Sequence, residues 1–163
     1  MLLPLSLMGD IDRPHPGVQS IIAASSSKAD RPSSVADLLF RALDMVFSPM
    51  ASGGGGAGGP PWRAAAFAKR LLGASIHWPA PIALRSLAFV KSLLSKYPKI
   101  ETLLSTEDRT HNGIYRPDVD DPQLCQPFES SFWELHLLQR RHWDPRVREE
   151  AKKLLNHAPR SAS

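Results

Sequence analysis

From residue 61 onward, apolar side chains recur at spacings of three and four residues, and this periodicity restricts the fold more than any other feature of the chain. One series comprises Ala64, Phe67, Leu71, Ala74 and Trp78, and a second comprises Ala83, Leu87, Val90, Leu94 and Tyr97. Residues at these spacings share one face of an α-helix. No segment after residue 60 alternates as a half-buried strand would. We therefore predict an all-α fold of antiparallel helices, either the terminal segment of a HEAT- or armadillo-like α-solenoid or a small helical bundle.

Prolines and capping residues indicate where these helices begin and end. Pro79 and Pro81 end the first helix and start the next. A further helix is expected from about 128 to 141, with a start as late as 131 if the capping-box sequence at 131–134 begins it. The pair at 144–145, Asp followed by Pro, predicts the cap and first turn of the last helix.

The segment 105–127 is predicted to be a long ordered loop. It contains three residue–proline pairs, at 116–117, 121–122 and 126–127. A proline disfavours helical backbone at the residue before it, so an extended conformation is expected at each of the three preceding residues.

The first sixty residues are expected to be organised differently from the rest. Residues 1–33 show no sustained periodicity and are predicted to be poorly ordered. An isolated amphipathic helix is predicted at 34–47, and the Gly-rich run that follows predicts a flexible linker at 48–60. The helical domain is then expected to cover 61–158, followed by a disordered tail at 159–163.

Charge is unevenly distributed, although the formal net charge of the chain is only +4. Residues 60–104 carry seven Lys or Arg and one acid, residues 105–136 carry two Arg and seven acids, and residues 137–163 carry seven Lys or Arg and three acids. A basic surface attracts RNA, DNA or acidic proteins through its summed field. The alternative is that these charges only solvate the outer faces of helices.

The single cysteine, Cys125, cannot form a disulfide within the chain, which fits a reducing compartment. Its simplest role is that of a small buried residue. The apolar start at 1–8 lacks a positively charged leader, and no uninterrupted apolar stretch reaches membrane-spanning length. We expect a soluble, intracellular protein.

Residues with the chemistry for catalysis or metal binding are present, but their spacing matches no known pattern. The metal candidates are His111, Cys125, His136 and His142. The acidic run Asp118, Asp120 and Asp121 lacks the Gly and Glu of a calcium loop, so these carboxylates are expected to cap a turn or to pair with nearby Lys and Arg. The Gly run at 53–56 is not followed by the Lys of a phosphate loop. We therefore assign no catalytic, cofactor or metal site.

Two stretches go beyond generic helical patterning. The first is Ala-Ala-Phe-Ala-Lys-Arg-Leu-Leu at 65–72, followed by the helical sequence 82–98; the second is Asn-Gly-Ile-Tyr-Arg-Pro-Asp-Val-Asp-Asp-Pro at 112–122, followed by Ser-Ser-Phe-Trp-Glu-Leu at 130–135 and His-Trp-Asp-Pro at 142–145. Their order and spacing resemble the C-terminal part of the CCAAT-binding-factor domain family, which includes the nucleolar complex-associated proteins. The resemblance covers about 62–158. Family members usually have His-Tyr-His-Pro at the last motif, and they are much longer.

The resemblance implies a helical scaffold in the nucleolus or nucleus that acts in large-subunit ribosome assembly. Its partners would be other nucleolar complex proteins and pre-ribosomal particles or RNA. The motif residues it marks as structural or partner-binding are Phe67, Lys69, Arg70, Leu71, Gly113, Tyr115, Pro117, Asp121, Pro122, Trp133, Glu134, Leu135, His142 and Pro145. Trp133 is expected to be a core or inter-helix anchor, with an exposed base-stacking role as the alternative.

The basic residues expected to approach nucleic acid are Arg63, Lys69, Arg70, Lys91, Lys96, Arg140, Arg141, Arg146 and Arg148. Other functions stay open on the sequence alone. They are a chromatin-bound adaptor in DNA replication initiation, a hydrolase with a Ser/His/Asp site, and a truncated fragment without independent function.

Overall fold

The computed structural model describes residues 34–48, 59–105 and 113–157. The described residues belong to two compact units, 34–48 and 59–157. The predictions of a poorly ordered segment at 1–33, of most of the linker at 48–60 and of a tail at 159–163 lie outside the described residues.

The first unit contains helix α1, Val35–Val46. Ser34 is its N-cap, and its hydroxyl accepts a hydrogen bond from the backbone N–H of Asp37 at 3.2 Å. This bond satisfies one of the N–H groups that a helix start leaves without an internal partner. The buried residues of the helix are Ala36, Phe40 and Leu43, which follow the three- and four-residue spacing.

The second unit begins with helices α2, Pro61–Ser75, and α3, Ala80–Lys96, and with the 3₁₀ segment Pro98–Leu104. Both helices have proline in the first turn, where its missing N–H costs nothing. Helix α2 is buried on more than one side by small residues, with Ala64, Ala65, Ala66 and Ala68 fully buried. Side chains this small let the backbone of a neighbouring helix approach closely.

The second half of this unit contains the 3₁₀ segment Pro127–Glu129 and helices α4, Trp133–Arg141, and α5, Pro145–Leu155. The expected helix start at 128, or at 131 with a capping box, is wrong. Phe132 is the N-cap of α4 and makes no side-chain capping bond. The expected extended backbone at Gln126 is also wrong, since this residue is left-handed with φ 50° and turns the chain into the 3₁₀ segment.

Helix packing in this unit is pairwise. Helix α2 packs on α3 and α4 packs on α5, while α3 also contacts α5 and α2 contacts α4. The α4–α5 connection is only three residues long, 142–144, which is the length of a helical hairpin turn. Two stacked helix pairs sharing one core are the arrangement expected of a solenoid segment, and no strand occurs in the described ranges. The predicted all-α fold is confirmed.

None of the helices in the described part of the chain combines the length and apolar character needed to cross a bilayer.

Candidate functional site

Lys69 on α2 is the centre of a buried cluster of motif residues. Its side chain is fully buried, and its ammonium lies 3.0 Å from the carboxylate of Glu134 in the first turn of α4. The ammonium also donates a hydrogen bond of 2.6 Å to the carbonyl of Ser131. It lies 4.7 Å from the centre of the Tyr115 ring and 5.9 Å from that of Phe132. One lysine thus joins α2, α4 and the preceding loop.

Burial opposes both charges of the Lys69–Glu134 pair. Loss of solvent lowers the pKa of Lys69, and the same loss of solvent raises the pKa of Glu134; in each case the charge of the other partner acts in the opposite direction. Such a pair gains little over a well-packed apolar pair, but each charge depends on its partner once both are buried. The motif residues Lys69 and Glu134 therefore fix how α2 and α4 are joined.

Arg70, the next residue of α2, binds the backbone of the loop at 113–126, called the motif loop below. Its guanidinium donates hydrogen bonds to the carbonyls of Val119 and of Asp120, the latter at 3.1 Å. Arginine suits this role because its planar fork can donate to two acceptors at once. Lys69 and Arg70, adjacent in sequence, thus bind the loop and the start of α4.

The loop is closed at both ends by further bonds. The backbone N–H of Gly113 donates to the carboxylate of Glu129 at 3.0 Å, and the N–H of Arg116 donates to the carbonyl of Cys125 at 2.9 Å. A Cβ added to Gly113 would lie 2.6 Å from the Gln126 amide oxygen and 3.0 Å from Glu129 Cγ. Glycine at position 113 leaves room for the Glu129 side chain, which accepts a hydrogen bond from the glycine N–H.

The loop contains a turn capped by Asp121 and a buried cysteine, Cys125, as expected from the sequence. The carboxylate of Asp121 accepts a hydrogen bond from the N–H of Gln123 at 2.8 Å, and so caps a turn. Cys125 is buried and its thiol donates to the carbonyl of Pro122 at 3.2 Å. Burial raises the pKa of Cys125, which keeps the thiol protonated.

A second group of motif residues connects α4 to α5. Asp144 is the N-cap of α5: one of its carboxylate oxygens accepts from the N–H of Arg146 at 2.8 Å, and the other accepts from the Arg146 guanidinium at 2.8 Å. Its own N–H donates to Nδ1 of the buried His142 at 3.0 Å. The carbonyl of His142 accepts from Arg148 at 3.1 Å. The hydrogen bonds to Arg146 hold the pKa of Asp144 at about 2.

The remaining motif residues have mixed positions. Leu71 and Leu135 are buried and Phe67, Tyr115 and Pro122 are half-buried, while Pro117, Asp121 and Pro145 are exposed. Trp133 is 48% exposed, so the core half of the expectation of a core or inter-helix anchor is wrong, while its position on α4 beside Lys69 of α2 is compatible with the inter-helix half. Its ring lies against the Lys69 cluster, with its centre 6.0 Å from the ammonium, and its other parts face outward.

The basic residues expected on a nucleic-acid surface also divide. Lys69 is 1% exposed and engaged with Glu134, so its inclusion among surface cations is wrong. Arg63 and Arg70 are half-buried. The exposed members are Lys91, Lys96, Arg140, Arg141, Arg146 and Arg148.

Among the described residues, no group of three or more His, Cys, Asp or Glu is placed to hold a metal ion. Cys125 and His142 are buried, His136 is half-buried, and His111 lies outside the described residues.

Sequence reasoning missed the contacts of two residues near these sites. Phe132 is buried beside Lys69; its place on the apolar face of the predicted helix and in the Ser-Ser-Phe-Trp-Glu motif indicated burial, but not its contact with the lysine. Trp143 is 72% exposed and stacks on His142, with ring centres 5.6 Å apart. Its signal was an aromatic residue between two motif positions and beside four arginines.

Comparisons with known proteins show which sequences this chain is similar to. The model of the CBF/Mak21 family matches residues 24–151. Nucleolar complex-associated protein 3 of Schizosaccharomyces pombe is 40% identical over 93 residues, which are 57% of this chain and 12% of that protein. Its Saccharomyces cerevisiae namesake is 36% identical over 115 residues, 71% of this chain and 16% of that protein. The human nucleolar complex protein 3 homolog is 36% identical over 101 residues, 62% of this chain and 12% of that protein.

The chain thus spans less than a fifth of the length of these relatives. The resemblance carried by the motifs at 65–72, 112–122 and 130–145 is confirmed by the family match, although the match begins at residue 24 and the expected start near 62 is too late. The match covers most of the chain, and the chain belongs to the CBF/Mak21 family.

Proposed function

We propose that this chain is a helical, non-enzymatic assembly factor of the nucleolus that acts in maturation or transport of the large-subunit pre-ribosome. The observation that carries the proposal is the family match over residues 24–151, together with fungal and animal relatives whose names place them in a nucleolar complex. Those names denote members of a complex and no reaction. The chain is accordingly a nucleolar, nuclear protein.

The packing of the motif residues supports a scaffold role. The charged side chains of Lys69, Arg70 and Glu134 form contacts inside the fold that join α2, the motif loop and α4. Residues engaged in this way stabilise the helical unit 59–157, called the platform below. Recognition of partners is then left to the side chains on its outer surface. The partners are other helical proteins of the nucleolar complex and the pre-ribosomal particle.

The exposed side chains of the platform support two kinds of contact. The apolar ones, Ile114, Leu124 and Trp133, are suited to protein partners, because exposed large apolar groups favour association. The exposed cations Lys91, Lys96, Arg140 and Arg141 are suited to RNA phosphates.

Sedimentation tests the proposal directly. The tagged chain, expressed in cells, is expected to co-sediment with large-subunit precursor particles on sucrose gradients and to lie in the nucleolus by microscopy. Its absence from those fractions would contradict the assembly role. Co-purification with origin-binding proteins that resists RNase would instead indicate a chromatin adaptor.

The variant Lys69→Met is the matched test of the scaffold. Because it leaves Glu134 buried without its partner, it is expected to destabilise the fold and to lower the fraction of the chain that is found on the particles. The variant Lys152→Met removes an exposed lysine of α5 that has no assigned role in binding, and it is expected to stay on the particles.

A further inference from the structure

The connection between α4 and α5 presents an exposed aromatic ring inside a cluster of arginines. Trp143 is 72% exposed, which is unusual for a side chain that gains so much from burial. The segment 140–148 carries four arginines and one acid, Asp144. All four arginines are exposed.

The indole ring is held in place and does not hang freely from the chain. It stacks on the buried ring of His142, with centres 5.6 Å apart and 24° between the planes. His142 in turn is fixed by the N–H of Asp144, 3.0 Å from its Nδ1. One face of the indole therefore rests on the protein, and the exposed surface includes the outer face.

Two of the arginines are fixed to the residues on either side of Trp143. Arg148 donates to the carbonyl of His142 at 3.1 Å, and Arg146 forms an ion pair with Asp144 at 2.8 Å. Arg140 and Arg141, in the last turn of α4, precede the connection directly. Arg146 and Arg148 are thus held by residues that adjoin Trp143, and Arg140 and Arg141 lie two to three residues before it in the chain.

From this arrangement we propose that Trp143 is a stacking platform for a base of single-stranded RNA, and that Arg140, Arg141 and Arg148 bind the flanking phosphates, while Arg146 stays paired with Asp144. Indole faces stack on any base, and the base must be unpaired to reach them. An acidic peptide would satisfy the cations but would leave the indole in water, which is why the pattern favours RNA. The inference rests on the proposed function only for the source of the RNA.

Binding of synthetic RNA to the purified full chain tests the site. The probe is a fluorescein-labelled 12-nucleotide mixed-sequence single strand, with a duplex of the same length and a poly-glutamate peptide as competitors. The single strand is expected to quench tryptophan fluorescence and to bind more tightly than either competitor. Equal or tighter binding of poly-glutamate would overturn the proposal in favour of an acidic protein partner.

Two substitutions at Trp143 separate stacking from charge. Trp143→Ala is expected to weaken single-strand binding by about tenfold, since it removes the ring on which the base stacks. Trp143→Phe keeps an aromatic face and is expected to stay within about threefold of wild type. Leu124→Ala removes another exposed apolar side chain and is the matched control, with no change expected.

An unchanged affinity in Trp143→Ala, with helical circular dichroism like that of wild type, would overturn the stacking site. The binding measurement is independent of the cellular one: sedimentation can fail while the affinity for RNA remains, and the affinity can be lost while the chain still co-sediments through protein contacts. The two failures are therefore distinguishable.

Discussion

Lys69 shows how little the identity of a charged residue says about its role. It lies in a sequence segment with six other Lys or Arg, yet its ammonium is buried between a carboxylate and aromatic rings. A signal for this exists in the sequence. Ala65 lies four residues before Lys69 and Leu72 three residues after it, so Lys69 shares a helix face with residues that are buried. The local sequence pattern does not identify Glu134 as the partner of Lys69, because 65 residues separate the two.

A double-mutant cycle measures what the buried pair contributes. Lys69→Met is expected to lower the free energy of unfolding by about 3–5 kcal/mol, because Glu134 is then buried without a counter-ion. The double variant Lys69→Met/Glu134→Leu is expected to regain most of that loss, since two apolar side chains can fill the site without desolvated charge. Urea unfolding followed by circular dichroism gives each value.

The control for this cycle is Lys91→Met, at an exposed lysine of α3, which is expected to change the free energy of unfolding by less than about 0.5 kcal/mol. If the double variant were as unstable as the sum of Lys69→Met and the single variant Glu134→Leu, the two charges would not be coupled and Lys69 and Glu134 would not act as a buried pair.

Tyr115 offers an independent probe of the same cluster. Burial, with smaller effects of Cys125 and Glu134, raises its pKa to about 12. The unfolded value is about 10, so the phenol contributes stability that is complete below about pH 10 and is lost as pH rises toward 12. Absorbance titration at alkaline pH is expected to show this tyrosine ionising late, with unfolding in the same range. A Tyr115→Phe variant that titrates like wild type would contradict the assignment.

At the scale of elements, the sequence was most informative where a short local signal determines the structure. The Asp-Pro pair at 144–145 predicts the start of α5, and the cap bond that makes it work joins residues only two apart. The start of α4 was predicted several residues too early. There the two capping-box residues bind Lys69: the carbonyl of Ser131 accepts a hydrogen bond from its ammonium, and the carboxylate of Glu134 forms an ion pair with it. A tertiary contact took precedence over a local one.

The same contrast explains the motif loop. Its three prolines predict extended backbone, yet Gln126 adopts a left-handed conformation. The loop is held by bonds to α2 and to the 3₁₀ segment, from Arg70 to Val119 and from Gly113 to Glu129. Contacts across this distance in sequence cannot be read from local preferences, which act only on neighbouring residues.

The cap of α5 predicts a dependence of stability on pH. Hydrogen bonds to Arg146 lower the pKa of Asp144 to about 2, below the ordinary value of about 3.9. The carboxylate therefore contributes stability that is present above about pH 4 and is lost as pH falls toward 2. Asp144→Asn keeps a capping oxygen but loses the charge, so it is expected to reduce the acid-sensitive part of the stability and to leave the fold intact.

Urea midpoints of wild type and Asp144→Asn at pH 7 and pH 3 measure this effect. Asp118→Asn, at an exposed carboxylate of the loop, is the matched control. An equal drop in midpoint for wild type and Asp144→Asn between the two pH values would contradict the role given to this carboxylate.

At the scale of the whole molecule, the basic, acidic, basic order of the sequence does not show which charges are exposed, because folding brings some of them into contact with the acidic segment. The acidic middle segment supplies Glu134 to Lys69, and the carbonyls of Val119 and Asp120 to Arg70. Two cations of the first basic segment are thus engaged inside the fold. The arginines of the second basic segment remain exposed, at 140, 141, 146 and 148. The sequence showed two basic regions, and the packing leaves the C-terminal one as the denser exposed cluster.

This redistribution makes the salt dependence of RNA binding diagnostic. For single strands, the logarithm of the affinity falls against the logarithm of the salt concentration with a slope of about −0.7 for each phosphate neutralised. The double variant Arg140→Gln/Arg141→Gln is therefore expected to make the slope shallower by about 1.4. The double variant Arg85→Gln/Lys99→Gln removes two exposed charges from α3 and the 3₁₀ segment after it, and is expected to leave the slope unchanged. Equal slopes for the two double variants would show that RNA responds to net charge alone and not to the arginine cluster around Trp143.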